Sequence, residues 1–324
     1  MKDLNDKVAF VTGGASGIGL GLAKSFARTG MRLMLADIEE QPLSAAVAEL
    51  RKTNADVDGV VLDVGDREAV FDAAEKTVER FGKIHVVCNN AGVGAGGPVE
   101  SWTPNGWAWT VAVNLMGVVH GIEAFVPHLK RQGEGHIVNT ASLAGVIGFP
   151  NMGAYSATKF AVVGLSETLR RDLEPFGIGV SVLCPGLVST RIYETGRTRP
   201  EKFGGAFTRD DAVKDAVRVA EAQGTDPEVA AETARMRSEM MKQALQAGLD
   251  PVIVGERVRE AILANEPYIF THPEYAAQVE ERIAALRQGF KSAAESPALK
   301  AANKLPDQDI VRVMTQTASG ATKP

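Results

Sequence analysis

The sequence is short of the residues that build metal centres, disulfide frameworks and nucleic-acid surfaces. Its two cysteines, Cys88 and Cys184, both end apolar runs, IHVVC and VSVLC. A buried cysteine there acts as a small hydrophobe, and a reducing compartment leaves both as thiols. Five histidines, at 85, 120, 128, 136 and 272, stand apart with no i, i+4 pair and no Cys or carboxylate cluster, so no metal site is indicated. No Lys/Arg run exceeds two and the formal net charge is -5, which argues against a nucleic-acid footprint. No membrane segment is evident. The opening, MKDLNDKVAF, enters an apolar strand without a basic n-region, a long apolar stretch and a cleavage site, so the expected location is the cytoplasm.

What is there reads as an ordinary soluble globular protein, 45% hydrophobic and 23% charged over 324 residues, a length that suits one large core with an elaboration or tail. Residues 7–12, KVAFVT, form a β-branched run that stops at Gly13, Gly14, Ala15, Ser16, Gly17, Ile18 and Gly19. Ile18, Leu22 and Phe26 then repeat at helical spacing up to Gly30. Strand, glycine turn and helix in that order let the backbone approach a pyrophosphate and present helix amides to it. The next strand, RLMLAD, ends on Asp37, about twenty residues beyond the turn, where an acid can hydrogen-bond a ribose diol. A carboxylate there repels a 2′-phosphate, and neither Ser16 nor Ile38 offers a cation, so NAD is expected over NADP. A strand-end turn residue is the other account of Asp37, and the combination with the glycine turn makes it the minority reading.

Helices over about 41–52 and 67–81 alternate with the strands GVVLDV and IHVVCNNAG, a pattern that implies a parallel sheet covered on both faces. Ligands collect at the carboxyl ends of such strands, here Gly13, Asp37, Asp63 with Val64, and Asn89 with Asn90, Ala91 and Gly92. Singly, Asp63 and Asn90 read equally well as turn formers. Residues 101–131 follow as one long helical pattern, with Ser101 or Thr103 as cap and Pro104 in the first turn. Asn114 sits in its apolar middle, either as a kink or water site or as part of a proton path towards Lys159. Trp102, Trp107 and Trp109 read as packing or subunit contact.

The stretch SLAGVIGFPNMGAYSATK, 142–159, then places Ser142 at a strand end and Tyr155 and Lys159 four apart on a helix. A phenol and an ammonium on one helical face can address the same small volume, and a nearby cation lowers a phenol pKa from about 10. Chance could place such a pair on a surface. The strand VSVLCPGLVST ends at Pro185 and Gly186, with Thr190 where the chain turns back over the sheet. Residues 191–250 are charged, with probable helices near 209–223 and 227–247, and read as a lid or substrate wall or else a solvated appendage that aids assembly. A helix over about 251–264, the strand YIFTH and an amphipathic helix to about 293 precede a polar tail whose last ten residues, at least, are expected to be disordered or draped on a neighbour. The domain reading is 1–272, with the 191–250 insertion inside it, followed by a C-terminal helix and tail over 273–324.

TGGASGIG at 12–19, Asp37, Asp63, NNAG at 89–92, Asn114, Ser142, YSATK at 155–159 and PG at 185–186 occur in the order in which the single-domain short-chain dehydrogenase/reductases carry them, and the sequence resembles that family from residue 6 to about 272. The resemblance implies an α/β fold, a doubly wound (Rossmann) seven-stranded parallel sheet, with a nicotinamide dinucleotide held by Gly13, Ser16, Gly17, Ile18, Gly19, Asp37, Asp63, Val64, Asn90, Ala91, Gly92, Tyr155, Lys159, Pro185, Gly186, Val188 and Thr190. It implies that Tyr155 exchanges the hydroxyl proton, Ser142 holds the substrate oxygen, Lys159 lowers the Tyr155 pKa and grips the nicotinamide ribose, and Asn114 holds a relay water. Val188 and Thr190 would meet the carboxamide. Gly92 to Gly97, Leu143, Phe149 and Met152 would shape a pocket that looks apolar. The expected substrate is a small-molecule secondary alcohol or its ketone, bulky and hydrophobic or aromatic. RPEKF at 199–203 and the long tail are faintly similar to the Cα-dehydrogenases that oxidise lignin-derived aryl ethers; hydroxysteroid oxidation fits nearly as well. A dinucleotide-sensing regulator that has lost catalysis is the rival from another class. The helices at 104–131 and 153–174 carry extra apolar faces, and the resemblance implies that they pair between subunits, as a homodimer or homotetramer.

Overall fold

Seven short strands build one parallel sheet: β1 Val8–Thr12, β2 Arg32–Asp37, β3 Val57–Val61, β4 Val86–Asn89, β5 Gly135–Thr140, β6 Ile178–Cys184 and β7 Tyr268–Phe270. Their order is β3-β2-β1-β4-β5-β6-β7, every neighbour parallel. The expected doubly wound sheet is therefore present in this computed structural model, which describes residues 1–53 and 55–302. Strand order reverses between β1 and β4, which opens a crevice at their carboxyl ends. The tail's last ten residues lie outside the described residues.

Parallel strands need cover on both faces, and the inner ones are accordingly buried along nearly their whole length. Helices α1 Gly17–Arg28 and α2 Glu40–Arg51 lie on one face, and α3 Arg67–Phe81 on the other. The chain then forms α4 Pro104–Val111, α5 Gly117–Gln132, α6 Gly153–Leu173, α7 Arg209–Gln223, α8 Pro227–Gln246 and α9 Pro251–Ala264. Side chains alternate along β1: Ala9 and Val11 join Leu22, Phe26 and Val258 in one core, while Val8 and Phe10 join Ala73, Ile137 and Phe125 in the other. Phe10 and Phe125 meet with ring centroids 4.6 Å apart. Two helices end the described chain, the long α10 Ala276–Glu295 and the short α11 Pro297–Ala302. Residues Met1–His272 form one compact unit and a second starts at Pro273.

The helical pattern over 101–131 is not one uniform helix. Thr103 caps it, its side chain accepting from the Gly106 amide at 3.0 Å, and a π-helical turn, Ala112–Met116, separates α4 from α5. Asn114 sits inside that turn. By length and composition, Pro104–Gln132 could also cross a membrane, which the sequence reading did not flag. Half of its apolar window is buried, and it supplies Val118, Phe125 and Leu129 to the two sheet-helix cores. A core helix between a sheet and its neighbours meets the same apolar criterion.

Two buried histidines set an acid limit on stability. His85 Nδ1 accepts from the Val8 amide at 3.0 Å, and burial lowers its pKa to about 4; His136, beside Ser181 Oγ at 2.8 Å, falls to about 3 for the same reason. Both are neutral in the fold, whereas an unfolded chain takes up protons below pH 6.5. Their contribution is therefore complete above pH 6.5 and is lost as pH falls towards 4 and then 3, at about 1.4 kcal/mol per pH unit for each group. Urea denaturation at pH 7 and pH 5 is expected to show this loss, and His136→Asn is expected to make the difference between the two pH values smaller.

Candidate active site

The carboxyl ends of β1, β4 and β5 are laced together by threonines and an asparagine. Thr12 Oγ1 accepts from the Asn90 and Ala91 amides at 2.9 Å each, Asn90 Nδ2 donates to the Thr12 carbonyl at 3.0 Å, and Thr140 Oγ1 donates to Asn90 Oδ1 at 3.3 Å. Asn90 thus braces three strand ends. The glycine turn closes against this brace: a Cβ on Gly19 would sit 2.0 Å from the Gly13 carbonyl oxygen, and Gly13 itself has φ +65. Ser16 caps α1 in extended geometry without using its side chain on the first amides. Gly17 lies against Thr190, a methyl carbon of which would be 3.0 Å from an added Cβ. Ile18 packs on the adjacent core.

Asp37, at the end of β2, is buried; Oδ2 accepts from the Ala15 amide at 3.0 Å and Oδ1 from the Glu39 amide at 3.1 Å. Burial raises its pKa, with the Glu39 and Ala15 amides acting in the opposite direction. Asp63 caps its own turn through the Gly65 amide at 2.9 Å, and the Val64 carbonyl meets His120 Nδ1 at 3.0 Å. Val188 is buried in the core, so only its backbone can face a ligand. The Pro185 carbonyl accepts from Leu143 at 2.9 Å, and the Gly186 amide lies 3.2 Å from His272 Nδ1. The 185–186 pair therefore ties the end of β6 to the loop after Ser142 and to β7's end.

Ser142 hydrogen-bonds Tyr155, Tyr155 neighbours Lys159, and Lys159 meets Asn114 beside Gly92. An added Cβ on Gly92 would lie 3.4 Å from Asn114 Oδ1 and 3.5 Å from Lys159 Nζ, so both polar atoms converge there. Lys159 is 2% exposed and donates to the Thr140 carbonyl at 2.9 Å; burial lowers its pKa to about 8. Its Nζ is 5.6 Å from the centre of the Tyr155 ring. Asn114 clasps the Val93 backbone, Oδ1 accepting from the amide at 2.8 Å and Nδ2 donating to the carbonyl at 3.0 Å. Ser142 caps a short turn by accepting from Ala144 at 3.1 Å. That turn presses on α6, since a Cβ on Gly145 would lie 2.6 Å from the Lys159 carbonyl oxygen.

One expectation needs correcting. The pairing with Lys159 was expected to lower the Tyr155 pKa, yet in this structure it is raised. Burial of the phenol is the largest cause, and a hydrogen bond from Ser142 is the one opposing influence. Lys159 is itself desolvated and directed at the Thr140 carbonyl, so its charge does not dominate the phenol.

The insertion reaches this site through residues that sequence reading passed over. Gly94 donates to Thr195 Oγ1 at 3.0 Å, Arg197 forks onto Glu39 two residues beyond Asp37, and Lys202 Nζ lies 3.6 Å from Asp63 Oδ2. Its two ends are joined at the neck, where Leu249 donates to the Leu187 carbonyl and Ser189 to the Leu249 carbonyl, each at 2.9 Å. Trp102 lies over Gly153, two residues before Tyr155, and packs edge-on against Trp107 at 5.2 Å; Trp109 is buried. These tryptophans are packing residues around α4 and α6. Among the described residues no group of three or more His, Cys, Asp or Glu could hold a metal ion.

The profile of the family described as short chain dehydrogenase matches residues 7–201. A C alpha-dehydrogenase of a Sphingobium species is 36% identical over 290 residues, 88% of this chain and 87% of that protein. Levodione reductase of Leifsonia aquatica is 33% identical over 72% of this chain and 88% of its own length. The crystal structure of a short chain dehydrogenase/reductase from Burkholderia phymatum in complex with NAD superposes with a TM-score of 0.78 at 39% identity, covering 89% of this chain and 97% of that one. With the sheet order, the glycine turn and the Ser, Tyr and Lys side chains at one strand edge, these likenesses show that the chain is an oxidoreductase belonging to the short-chain dehydrogenase/reductase family.

Proposed function

We propose that this chain is an NAD(H)-dependent dehydrogenase that interconverts a secondary alcohol and its ketone, with a bulky hydrophobic or aromatic substrate. The observation that carries the reading is a run of contacts among the four side chains: Ser142 hydrogen-bonds Tyr155, Lys159 Nζ lies 5.6 Å from the centre of the Tyr155 ring, and Lys159 and Asn114 converge at Gly92. The residues present fit a dinucleotide. The Gly13 to Gly19 turn closes too tightly for a side chain at Gly19, α1 starts at its end with its first amides free for an anion, and Asp37 ends the neighbouring strand. Bound NAD supplies a hydride acceptor and, when oxidised, a positive charge.

Tyr155 takes the hydroxyl proton during oxidation and returns it during reduction. Ser142 hydrogen-bonds the same oxygen and steadies its developing charge. Lys159, with a pKa brought down to about 8, can pass protons between Tyr155 and solvent near neutral pH. The Asn114 carboxamide is committed to Val93, so a relay water there would use its backbone carbonyl or the remaining lone pair of Oδ1. The buried Val188 leaves the carboxamide to its backbone and to Thr190. The 191–250 segment acts as the lid, fastened over the adenosine side by Arg197 and Lys202.

The NAD preference rests on two carboxylates, Asp37 and Glu39, in which Arg197 is already occupied by Glu39 and is not free to meet a 2′-phosphate. Asp37→Asn keeps the size and removes the charge, and its one amide oxygen can still accept from only one of the Ala15 and Glu39 amides. It is expected to reduce the NADH over NADPH preference about tenfold, the size of one screened charge interaction of about 1.4 kcal/mol, in a fluorescence titration. Tighter binding of NADPH than NADH by the parent protein contradicts the preference. Among substrates, the 36% identity to a C alpha-dehydrogenase favours an aryl carbinol. Free, buried Cys88 and Cys184 suit a reducing, cytoplasmic setting.

A further inference from the structure

Helix α10, Ala276–Glu295, buries none of its residues, and Phe290 is 79% and Leu286 51% exposed. Yet its large apolar side chains, Val279, Ile283, Leu286 and Phe290, are in a single row that Ala276 and Ala293 extend, spaced 3, 4, 3, 4 and 3 apart. That is the spacing of a coiled-coil seam. Helices in proteins gain most of their stability from packing such a row, so the row calls for a partner.

The row is also symmetric about its midpoint, between Ala284 and Ala285. Turned end for end, it sets Ala276 against Ala293, Val279 against Phe290 and Ile283 against Leu286. The flanking charges follow the same symmetry. In an antiparallel pair Glu280 flanks the partner's Arg287, and the two-fold axis repeats that contact. A parallel pair would instead set Arg282 beside the partner's Arg287 twice, which repels. We infer that α10 is a self-recognition helix, and that its occupant is α10 of a second copy of this chain, packed antiparallel. This contact is separate from any pairing of the helices at 104–132 and 153–173.

Disulfide trapping in the full-length protein reads this register directly. In Val279→Cys/Phe290→Cys the two thiols of one chain are eleven residues apart, about 16 Å along a helix, too far to close within it. The native thiols, Cys88 and Cys184, are buried. Under mild oxidation the double variant is expected to run as a covalent dimer on non-reducing gels, at least about fivefold more than either single variant, because only opposite-end residues meet. Adding Glu280→Arg should cut the dimer yield, and adding Arg287→Glu as well should restore it, since the ion pair is then re-formed with its signs exchanged. No cross-link in the double variant, or efficient cross-linking of Phe290→Cys alone, overturns the inference. The first result means that α10 has some other partner, the second that the helices run parallel.

Discussion

Tyr155→Phe is expected to lower kcat for alcohol oxidation by about 10³, within the range for loss of a positioned acid/base, while NADH binds nearly as it does to the parent. The change removes one oxygen from a residue that is 8% exposed, so the packing of α6 is preserved. In the parent, burial raises the phenol pKa, and at neutral pH Tyr155 holds its proton. Oxidation needs the phenolate. Its kcat/KM should therefore rise close to tenfold per pH unit below the pKa of the tyrosine, whereas ketone reduction, which starts from the phenol, should stay flat there. Both dependences should vanish in Tyr155→Phe. Parallel pH profiles measured in the two directions with one alcohol and ketone pair check this, and a variant that keeps the parent's kcat assigns the proton transfer elsewhere.

Gly19→Val is expected to weaken NADH binding at least about 100-fold. A Cβ at Gly19 would lie 2.0 Å from the Gly13 carbonyl oxygen, 2.6 Å from its carbon and 2.8 Å from Asn90 Nδ2. The first two are backbone atoms, so no rotamer relieves the clash and the glycine turn must open. Opening it also pulls Asn90 from Thr12, the bond that braces β4 against β1. Lost cofactor affinity should therefore come with a lower melting temperature, and calorimetry of binding and of unfolding measures the two effects separately. Affinity within a few-fold of the parent's would mean that the turn does not shape the nucleotide site.

Most of the fold could be read from the sequence because it is repetitive and local. Buried parallel strands are written as apolar runs such as VAFVT and VSVLC, and each alternates with a helix. The glycine turn and Tyr155 with Lys159 are likewise contained within short windows. What escaped depends on residues far apart in the chain or on small local departures. Arg197 and Glu39 are 158 positions apart, and nothing in either local sequence shows that they meet. Thr12 and Thr140 lie on different strands far apart in the chain, yet together they hold Asn90. The π-helical turn at Asn114 leaves the apolar pattern almost unchanged, because one extra residue in the helix shifts the stripe by less than a third of a turn. The rise in the Tyr155 pKa was misjudged because i, i+4 spacing gives proximity but says nothing of burial.

The proposed roles of these residues rest on one proposed act: direct transfer of a hydride from a carbinol carbon while Tyr155 takes the hydroxyl proton. The most direct measurement gives the protein NAD and a secondary aryl alcohol carrying deuterium on the carbinol carbon, and follows the label by mass spectrometry. The expected result is deuterium at the nicotinamide C4 of the NADH formed, on one face of the ring, with a slower rate than for the protiated alcohol. NADH without the label, or no NADH from any alcohol in a broad aromatic and aliphatic panel, contradicts the account.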